Sequence, residues 1–342
     1  MIDFIETEDQ LEEALARPSP ADVAAAAALE GDLMLLGVGG KMGPSLARLA
    51  ARACREASVT RPIWGVSRFS DPDLAADLRN AGLETISCDL LDRDAVAALP
   101  EAANVIFMAG RKFGSTGQEW LTWAMNVYVP ALVAERFRKS RIVAFSTGNI
   151  YPLTPVAGCG PSETHPPEPL GEYAQSCLGR ERMFEYFSEK HGTRAALLRL
   201  NYANDLRYGV LRDVAEKVYR RQPIDLAMGA VNVIWQRDAN SVALRALAHC
   251  QSPPLVLNVA GPELVKIRDL ARGFSRIFGI EPVLEGAEAA TALLSNAARR
   301  QEIFGPPSVS LEQMMEWTAH WVRIGGRSLG KPTHYEQRDG RF

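Results

Sequence analysis

The stretch Leu-Met-Leu-Leu-Gly-Val-Gly-Gly-Lys-Met-Gly, residues 33–43, decides the fold of this chain. Its first four residues form an apolar run that is typical of a strand buried on both faces of a parallel sheet. Glycines follow at a spacing of three, and the pattern from Ser45 onward is helical. A strand, a glycine-rich turn and a helix N-terminus direct backbone N–H groups at a pyrophosphate. An ordinary glycine-rich turn is the alternative, but the flanks favour a dinucleotide site whose predicted contacts are Gly37, Gly39, Gly40, Lys41, Met42 and Gly43.

After this turn, apolar runs alternate with helical segments along the chain. The runs cover residues 62–66, 83–88, 104–109, 141–145 and 195–200. Alternation of strands with helices of about 10–20 residues indicates right-handed βαβ units. We expect an α/β fold with a doubly wound parallel sheet and a smaller, mixed C-terminal lobe. Because such sheets bind ligands beyond the carboxyl ends of their strands, the polar residues that end these runs should line one crevice.

The composition excludes several classes of function. Of the 342 residues, 47% are hydrophobic and 23% are charged, and the net charge is -3. Neither nucleic acid nor an anionic membrane is therefore an expected partner. No apolar run approaches the roughly 20 residues of a membrane span. The five cysteines form no CxxC pair, which favours reduced thiols in the cytoplasm over disulfides or a zinc site. We expect a cytoplasmic protein without a bound metal.

Five further motifs accompany the glycine turn in a specific order. They are Cys88-Asp-Leu-Leu-Asp92, Asn126-Val127, Phe145-Ser-Thr-Gly-Asn-Ile-Tyr151, Tyr173-Ala-Gln-Ser-Cys177 and Leu257-Asn-Val-Ala-Gly261. With them the chain resembles the extended short-chain dehydrogenase/reductase superfamily, of the NAD-dependent epimerase/dehydratase type, over about residues 31–320. The resemblance implies a Rossmann-type nucleotide-binding domain and an NAD(P)-dependent enzyme that interconverts a hydroxyl and a carbonyl group. It also implies a homodimer formed through helices around residues 116–139 and 172–190.

The resemblance implies roles for individual residues. Tyr173 would be the proton donor or acceptor, and Thr147 would hold the substrate oxygen. This pair suits the chemistry, because hydride transfer develops charge on an oxygen that a phenol and a hydroxyl can stabilise. The simpler alternatives are a half-buried helix aromatic for Tyr173 and a strand-end cap for Thr147. The implied cofactor contacts are Asp89 with Leu90 at the adenine, Ala109 or Gly110 near the nicotinamide ribose, and the motif positions Asn126 and Cys177.

Cys177 is where the chain departs from the resemblance, because the family pattern YxxxK has a lysine at this position. A unit charge about 6 Å away at an effective dielectric of about 20 is worth about 2.8 kcal/mol, or about two pKa units. Without that cation the Tyr173 phenol should be a good acid and a poor base at neutral pH. We therefore expect carbonyl reduction to be easier than alcohol oxidation, unless another cation fills the gap. Lys112 and Arg111 are the first candidates for that cation, and Arg180 is a weaker one.

The choice of cofactor depends on charge at the end of the second strand. Users of NAD usually have an acidic residue there to bind the ribose diol, whereas this chain has Ser67-Arg68, with Lys41 in the glycine turn. A cation at each place suits a 2′-phosphate, so NADP is the expected cofactor. Because Arg68 could equally stack on the adenine, NAD remains the alternative.

The range of expected substrates is narrowed by the absence of an arginine from one motif position. The resemblance places Val231 where nucleotide-sugar enzymes of the family have an arginine for the diphosphate, so a UDP- or GDP-sugar is disfavoured. A small polar substrate, such as a sugar, a sugar acid or a keto or hydroxy acid, fits better. Its predicted contacts are Lys112, Asn149, Asn201 and Trp235. Two other functions remain open, a sugar epimerase with tightly held cofactor and a non-catalytic sensor of NAD(P).

The chain is predicted to contain four parts. Appended helices cover residues 1–30, where Thr7 and Ser19 are expected N-caps, and these helices should dock on the sheet edge or take part in oligomer contacts. The Rossmann domain covers residues 31–200. A substrate lobe interleaved with it covers residues 201–325, and a C-terminal tail covers residues 326–342.

Overall fold

The computed structural model describes residues 4–112, 114, 116–331 and 333–341. Its strands, in chain order, are β1 (Leu33–Leu36), β2 (Ile63–Ser67), β3 (Glu84–Ser87), β4 (Asn104–Phe107), β5 (Arg141–Thr147), β6 (Thr154–Pro155), β7 (Arg194–Leu200), β8 (Ala203–Asn204), β9 (Pro223–Asp225), β10 (Ala230–Val231), β11 (Ile234–Trp235), β12 (Leu255–Val259), β13 (Val265–Lys266), β14 (Val283–Glu285) and β15 (Thr291–Ala292).

The helices are α1 (Glu8–Ala16), α2 (Pro20–Ala28), α3 (Gly43–Glu56), α4 (Pro72–Asn80), α5 (Arg93–Ala97), α6 (Glu119–Trp123), α7 (Val129–Arg136), α8 (Gly171–His191), α9 (Val210–Tyr219), α10 (Gln236–Ala246), α11 (Ile267–Phe278), α12 (Ala298–Phe304) and α13 (Leu311–Arg323). A π-helical turn at Ala124–Tyr128 joins α6 to α7. Within the described residues, no helix is both long and apolar enough to cross a membrane.

Seven strands form one parallel sheet in the order β12-β7-β5-β4-β1-β2-β3. The central strand β1 pairs with β2 on one side and β4 on the other, and all four of its residues are buried. Strand order reverses between β1 and β4, which creates the crevice at which such sheets bind ligands. The predicted doubly wound α/β fold is therefore confirmed. The structure adds one strand to the predicted sheet, because β12 pairs with β7 at the sheet edge although it lies within residues 201–325.

Alternate residues of β1 pack into two apolar layers, one on each face of the sheet. Leu33 and Leu35 contribute to the layer under α3 and α10, while Met34 and Leu36 contribute to the layer under α7. A third apolar core lies in the second lobe, where α9, α11 and α13 enclose buried residues such as Trp321. All four residues of β1 are apolar because both faces of the strand are buried, and this places β1 at the centre of the molecule.

The N-terminal helices join the two lobes. Thr7 and Ser19 both form capping boxes at the helix starts. Leu11 and Leu15 of α1 lie in the core of the second lobe, whereas Ala26 of α2 belongs to the sheet core. Both helices pack against α3 and α10, so they dock on helices and not on the sheet edge that was one of the two expected positions.

The C-terminal tail packs against both the second lobe and the start of α8. Tyr335 is only 1% exposed, and Thr333 donates hydrogen bonds from its backbone N–H and its hydroxyl to Asp213. Gly340 touches Gly171, the first residue of α8, so closely that a Cβ on either glycine would collide with the neighbouring backbone. The tail therefore tethers the second lobe to the helix that carries Tyr173.

Candidate active site

The glycine turn after β1 is shaped by close backbone approaches. Gly37 has φ +89°, and a Cβ there would lie 2.7 Å from the backbone nitrogen of Ala109 after β4. A Cβ at Gly43 would collide with the carbonyl of Val38, so helix α3 can begin against the turn only with glycine at this position. At Gly40 the nearest atom to such a Cβ is a turn carbonyl oxygen at 3.4 Å, and the rest of that side is open. The turn is thus a cradle with a bare face, which suits a pyrophosphate.

An open cleft of about 870 Å³ runs from this turn between the sheet edge and the second lobe. Its lining includes the glycine turn, the ends of β4 and β5, the start of α8 and the tail. The predicted residues that line it are Gly37, Gly39, Gly40, Lys41, Met42, Gly110, Lys112, Thr147, Asn149, Tyr173 and Asn201. The structure therefore brings the predicted phosphate cradle and the predicted proton-transfer pair to one cavity.

Seven of the predicted cofactor contacts lie outside this lining: Gly43, Arg68, Asp89, Leu90, Ala109, Asn126 and Cys177. Arg68 and Asp89 are exposed at the ends of their strands, and Asp89 accepts a hydrogen bond from the backbone of Leu91 in its own turn. Leu90 is 6% exposed and packs into an apolar layer, where Ala109 also packs. These side chains are placed by local turn geometry and core packing, so their roles toward a cofactor stay predictions.

Lys41 takes a different position from the one expected beside a 2′-phosphate. Its Nζ donates to the carbonyl of Ala203 at 3.2 Å and lies 3.7 Å from the ring centroid of Tyr208, both in the second lobe. Burial lowers the pKa of Lys41 to about 8. Lys41 takes this position because the buried carbonyl and the aromatic ring both attract its ammonium group. Lys41 therefore clasps the glycine turn to the second lobe.

The proton-transfer pair is assembled where β5 ends and α8 begins. Tyr173 lies near the start of α8, and its hydroxyl forms a hydrogen bond with Thr147 at the end of β5. Thr147 is 6% exposed, donates to the side chain of Asn149 at 3.0 Å and accepts from the backbone N–H of Asn149 at 3.2 Å. Burial raises the pKa of Tyr173 far above its ordinary value, and the hydrogen bond with Thr147 opposes that rise. The phenol is therefore protonated at neutral pH.

Cys177 and Arg180 lie on the Tyr173 face of α8, at spacings of four and seven residues. Cys177 is fully buried, and burial raises the pKa of its thiol. Arg180 is 6% exposed, and its two terminal nitrogens donate to the carbonyl of Phe145 and the side-chain oxygen of Asn126, each at 2.7 Å. Arg180 also lines the cleft. The side chain that sequence reasoning ranked last among the candidate cations is thus the one held on this helix face.

The other two candidate cations differ in position. Arg111 binds its own loop, since its guanidinium donates to the carbonyl of Gly114 and to Gln118. Lys112 lies with Nζ 5.7 Å from the ring centroid of Tyr173. Burial lowers the pKa of Lys112 to about 8. Lys112 therefore lies beside the phenol, but it loses its charge as the pH rises through about 8.

Asn126 is a structural hub. It is fully buried, donates to the carbonyl of Arg111 and to Ser176, each at 2.9 Å, and accepts from the backbone N–H of Arg111 at 2.9 Å. These bonds hold the loop after β4 against α8. A Cβ at Gly110 in the same loop would lie 2.5 Å from Nη2 of Arg180, so a side chain there would displace the guanidinium.

The predicted substrate contacts separate into two groups. Asn149 and Asn201 line the cleft, and the buried amide nitrogen of Asn201 has no hydrogen-bond partner within the described part of the chain. Trp235 is 2% exposed and packs against Trp317 in the core of the second lobe, with their ring centroids 5.6 Å apart. This placement corrects the expectation for Trp235. The indole lies in the core because burial of its apolar surface outweighs contact with a polar ligand.

A buried polar network beneath Tyr173 was missed by the sequence reasoning. Glu181 of α8 is fully buried and accepts from Arg199 of β7 at 2.8 Å and from Ser146 of β5 at 2.5 Å. Arg199 also donates to the hydroxyl of Tyr151 at 2.6 Å, which donates to Asn258 of β12 at 2.9 Å. The only signal in the sequence was the placement of Glu181 eight residues after Tyr173, on the same helix face. The network fixes α8 against three strands.

Comparisons with known proteins agree with this architecture. The model of the NAD dependent epimerase/dehydratase family matches residues 33–260. The chain therefore belongs to that family, and the expected NAD(P)-dependent enzyme of the extended short-chain dehydrogenase/reductase type is confirmed. A search of curated protein sequences finds no match to the chain.

Three solved structures illustrate the likeness of fold. UDP-glucose 4-epimerase from Thermotoga maritima is 17% identical with a TM-score of 0.70, over 86% of this chain and 99% of that one. A mutant of UDP-glucuronic acid 4-epimerase from Bacillus cereus, bound to a UDP-sugar analogue and NAD, is 16% identical with a TM-score of 0.71, over 85% and 99%. MoeE5 in complex with UDP-glucuronic acid and NAD is 19% identical with a TM-score of 0.69, over 86% and 100%. At these identities the likeness establishes the fold.

Proposed function

We propose that this protein interconverts a hydroxyl and a carbonyl group on a small polar substrate, with NAD(P) as the hydride carrier. The observation that carries the proposal is the hydrogen-bonded pair of Tyr173 and Thr147, which opens into the same cleft as the glycine cradle. The cradle fits a dinucleotide, because Gly40 leaves its cleft side bare while Gly37 and Gly43 bring the backbone close. The non-catalytic sensor is less well supported, since a receptor for the cofactor needs no hydrogen-bonded phenol–hydroxyl pair in the cleft.

The pair divides the work of proton transfer. A bound nicotinamide supplies or accepts the hydride at the substrate carbon. In reduction, the protonated phenol of Tyr173 gives its proton to the substrate oxygen, and the Thr147 hydroxyl stabilises the charge that develops there. In oxidation, the phenolate must first form, which burial opposes. Burial of the phenol therefore supports the expectation that reduction is easier than oxidation.

The test measures turnover on a panel of sugars, sugar acids and keto or hydroxy acids, and the absorbance of the nicotinamide reports the reaction. Tyr173→Phe should lower kcat by about 10²–10⁴-fold and Thr147→Val by about 10²-fold, with little change in cofactor affinity. Tyr186→Phe is the matched control, because Tyr186 is exposed on the same helix. Equal rates for Tyr173→Phe and Tyr186→Phe would contradict the acid/base role. Cofactor binding without turnover on any substrate would favour the sensor.

Epimerisation is the second candidate function, and a specific observation favours it. Lys41 clasps the glycine turn to the second lobe, and Ser45 at the start of α3 accepts hydrogen bonds from Gln236 and Asn240 of α10. These contacts hold the glycine turn to the second lobe and the start of α3 to α10, beside the phosphate cradle, and an epimerase must retain its cofactor between oxidation and re-reduction. Net consumption of cofactor indicates a dehydrogenase, whereas product formation without net consumption indicates an epimerase.

For the cofactor we propose NAD, with NADP as the alternative to test. Lys41 binds the second lobe, which removes one of the two cations that favoured NADP, and Arg68 remains. A carboxylate, Asp71, lines the cleft instead, and an acidic group there suits a ribose diol. Calorimetric affinities for NAD and NADP decide the choice, and Arg68→Met should weaken only NADP.

For the substrate we propose a small sugar, sugar acid or keto or hydroxy acid. Val231 is fully buried and pairs with Val265, so it cannot bind a diphosphate from the position where the family resemblance implies an arginine. The open amide of Asn201 and the ammonium of Lys112 offer hydrogen bonds and charge for a hydroxyl or carboxylate. Inhibition by sugar acids but not by UDP would support this class.

We further propose a homodimer in the cytoplasm. Trp120, Trp123 and Tyr128, on the helices before and around the π-turn, are 70%, 37% and 46% exposed. These exposed aromatic side chains on one helical segment offer apolar surface that a second copy of the chain would cover. Trp120→Glu should convert the dimer to monomers in sedimentation equilibrium. A wild-type chain that is monomeric at all concentrations would refute the dimer.

A further inference from the structure

Among the described residues, no opposite charge balances the buried guanidinium of Arg180. Its bonds go to a carbonyl and an amide oxygen, and Nε has no hydrogen-bond partner among the described residues. The neighbouring carboxylate, Glu181, instead bonds Arg199 at 2.8 Å. In the described part of the chain no carboxylate forms an ion pair with Arg180. A buried, uncompensated cation is costly, so its retention calls for an anion that forms nearby.

We propose that Arg180 is the positioning residue that supplies the positive charge for the Tyr173 phenolate. Tyr173, Cys177 and Arg180 share one face of α8, and helix side chains incline toward the N-terminus, so Arg180 reaches back toward the phenol. The guanidinium is fixed between the end of β5 and Asn126, and the missing side chain of Gly110 leaves it room. This inference rests on the proposed function, because it assigns a part of the same site.

The charges around Tyr173 support this assignment over the other cation. The positive charge of Arg180 opposes the burial that raises the pKa of Tyr173. Cys177 also faces the phenol, and burial raises the pKa of its thiol, which keeps it neutral. Lys112 faces the ring with a pKa lowered to about 8, so it is neutral in the alkaline range where a phenolate is needed. An arginine stays charged throughout that range.

The experiment compares four variants by cofactor dissociation constant and by the pH dependence of kcat in alcohol oxidation. Arg180→Met should raise the apparent pKa of the basic group by about one to two units, the size of effect that a unit charge about 6 Å away has at an effective dielectric of about 20. Arg180→Lys should keep most of the wild-type profile. The double variant Cys177→Lys/Arg180→Met should recover it, because position 177 lies one turn nearer the phenol on the same face. Arg182→Met, which removes an exposed arginine of α8, is the matched control.

Circular dichroism and thermal unfolding accompany each variant. If Arg180→Met does not fold, the pH profile of Arg180→Lys is compared with that of Arg180→Gln. Both side chains are polar, but only lysine is charged. The proposal is overturned if Arg180→Met or Arg180→Gln matches Arg182→Met in both measurements, or if a folded double variant recovers nothing. A wild-type protein that binds cofactor without turnover on any substrate, or that binds no cofactor, refutes the proposed function and with it this inference. A wild type that turns over while Arg180→Met keeps its pH profile refutes this inference alone, which distinguishes the two failures.

Discussion

The glycine turn and the Tyr173 helix form opposite walls of one cleft, and they are built on different principles. The turn presents backbone N–H groups, and its specificity comes from side chains that are absent at Gly37, Gly40 and Gly43. Helix α8 acts through side chains, whose charges are set by burial and by partners on other strands. A backbone site is visible in a local sequence pattern, whereas a side-chain site depends on residues that only the fold brings together.

The largest expected effect separates two glycines of the turn. Gly43→Ala would force a Cβ into the carbonyl of Val38, so it should lower the free energy of unfolding by about 3 kcal/mol. It should also weaken cofactor binding by more than about 100-fold, or about 2.7 kcal/mol. A Cβ at Gly40 would point into the open cleft, so Gly40→Ala should leave the free energy of unfolding within about 0.5 kcal/mol of wild type. It should weaken cofactor binding about tenfold. Chemical denaturation and calorimetry measure the two quantities.

The proposed difference between the two walls is contradicted if Gly40→Ala and Gly43→Ala have the same effect on the free energy of unfolding or if Gly40→Ala does not change cofactor affinity. Equal loss of stability would mean that the turn is a packing element with no bare face. Equal cofactor affinity for Gly40→Ala and wild type would mean that the phosphates bind elsewhere. Gly158→Ala is the matched control outside the cleft, because Gly158 has no positive φ and the nearest atom to a Cβ is also a carbonyl oxygen at 3.4 Å.

The same contrast explains what the sequence could and could not predict. The β1 strand, the turn and the alternation of strands and helices follow from local apolar periodicity, so the doubly wound sheet was predicted correctly. The pairing of β12 with β7 was not predicted, since their residues lie more than fifty positions apart. Arg180 was visible as a residue on the Tyr173 face, but its hydrogen bonds to Phe145 and Asn126 depend on tertiary contacts.

The second expected effect probes the side-chain wall. Glu181→Gln removes the carboxylate of a fully buried ion pair and leaves Arg199 uncompensated, which should cost about 3 kcal/mol of unfolding free energy. Glu185→Gln removes the acid of an exposed pair with Arg182 on the same helix and should cost less than about 0.5 kcal/mol. Urea denaturation measures both. A cost for Glu181→Gln as small as that for Glu185→Gln would show that the buried network does not hold α8 in place.

The smallest expected effect concerns Lys41, the one residue of the turn that acts through its side chain. Its pKa is lowered to about 8, so the ammonium is charged below that pH and neutral above it. Loss of the charge removes the cation–π contact with Tyr208 and weakens the bond to Ala203, so cofactor dissociation should become severalfold faster as the pH rises through about 8. Stopped-flow displacement measures that rate.

Substitutions at Lys41 assign the pH dependence, because Lys112 titrates in the same range. Lys41→Arg stays charged and should abolish the acceleration, whereas Lys41→Met should dissociate fast at every pH. If Lys41→Arg retains the wild-type pH dependence, the titrating group is Lys112 and the clasp has no influence on cofactor release. The turn would then act through its backbone alone, and the division between the two walls of the cleft would be complete. If Lys41→Arg abolishes the pH dependence, the charge of Lys41 makes the rate of cofactor release from the glycine turn depend on pH.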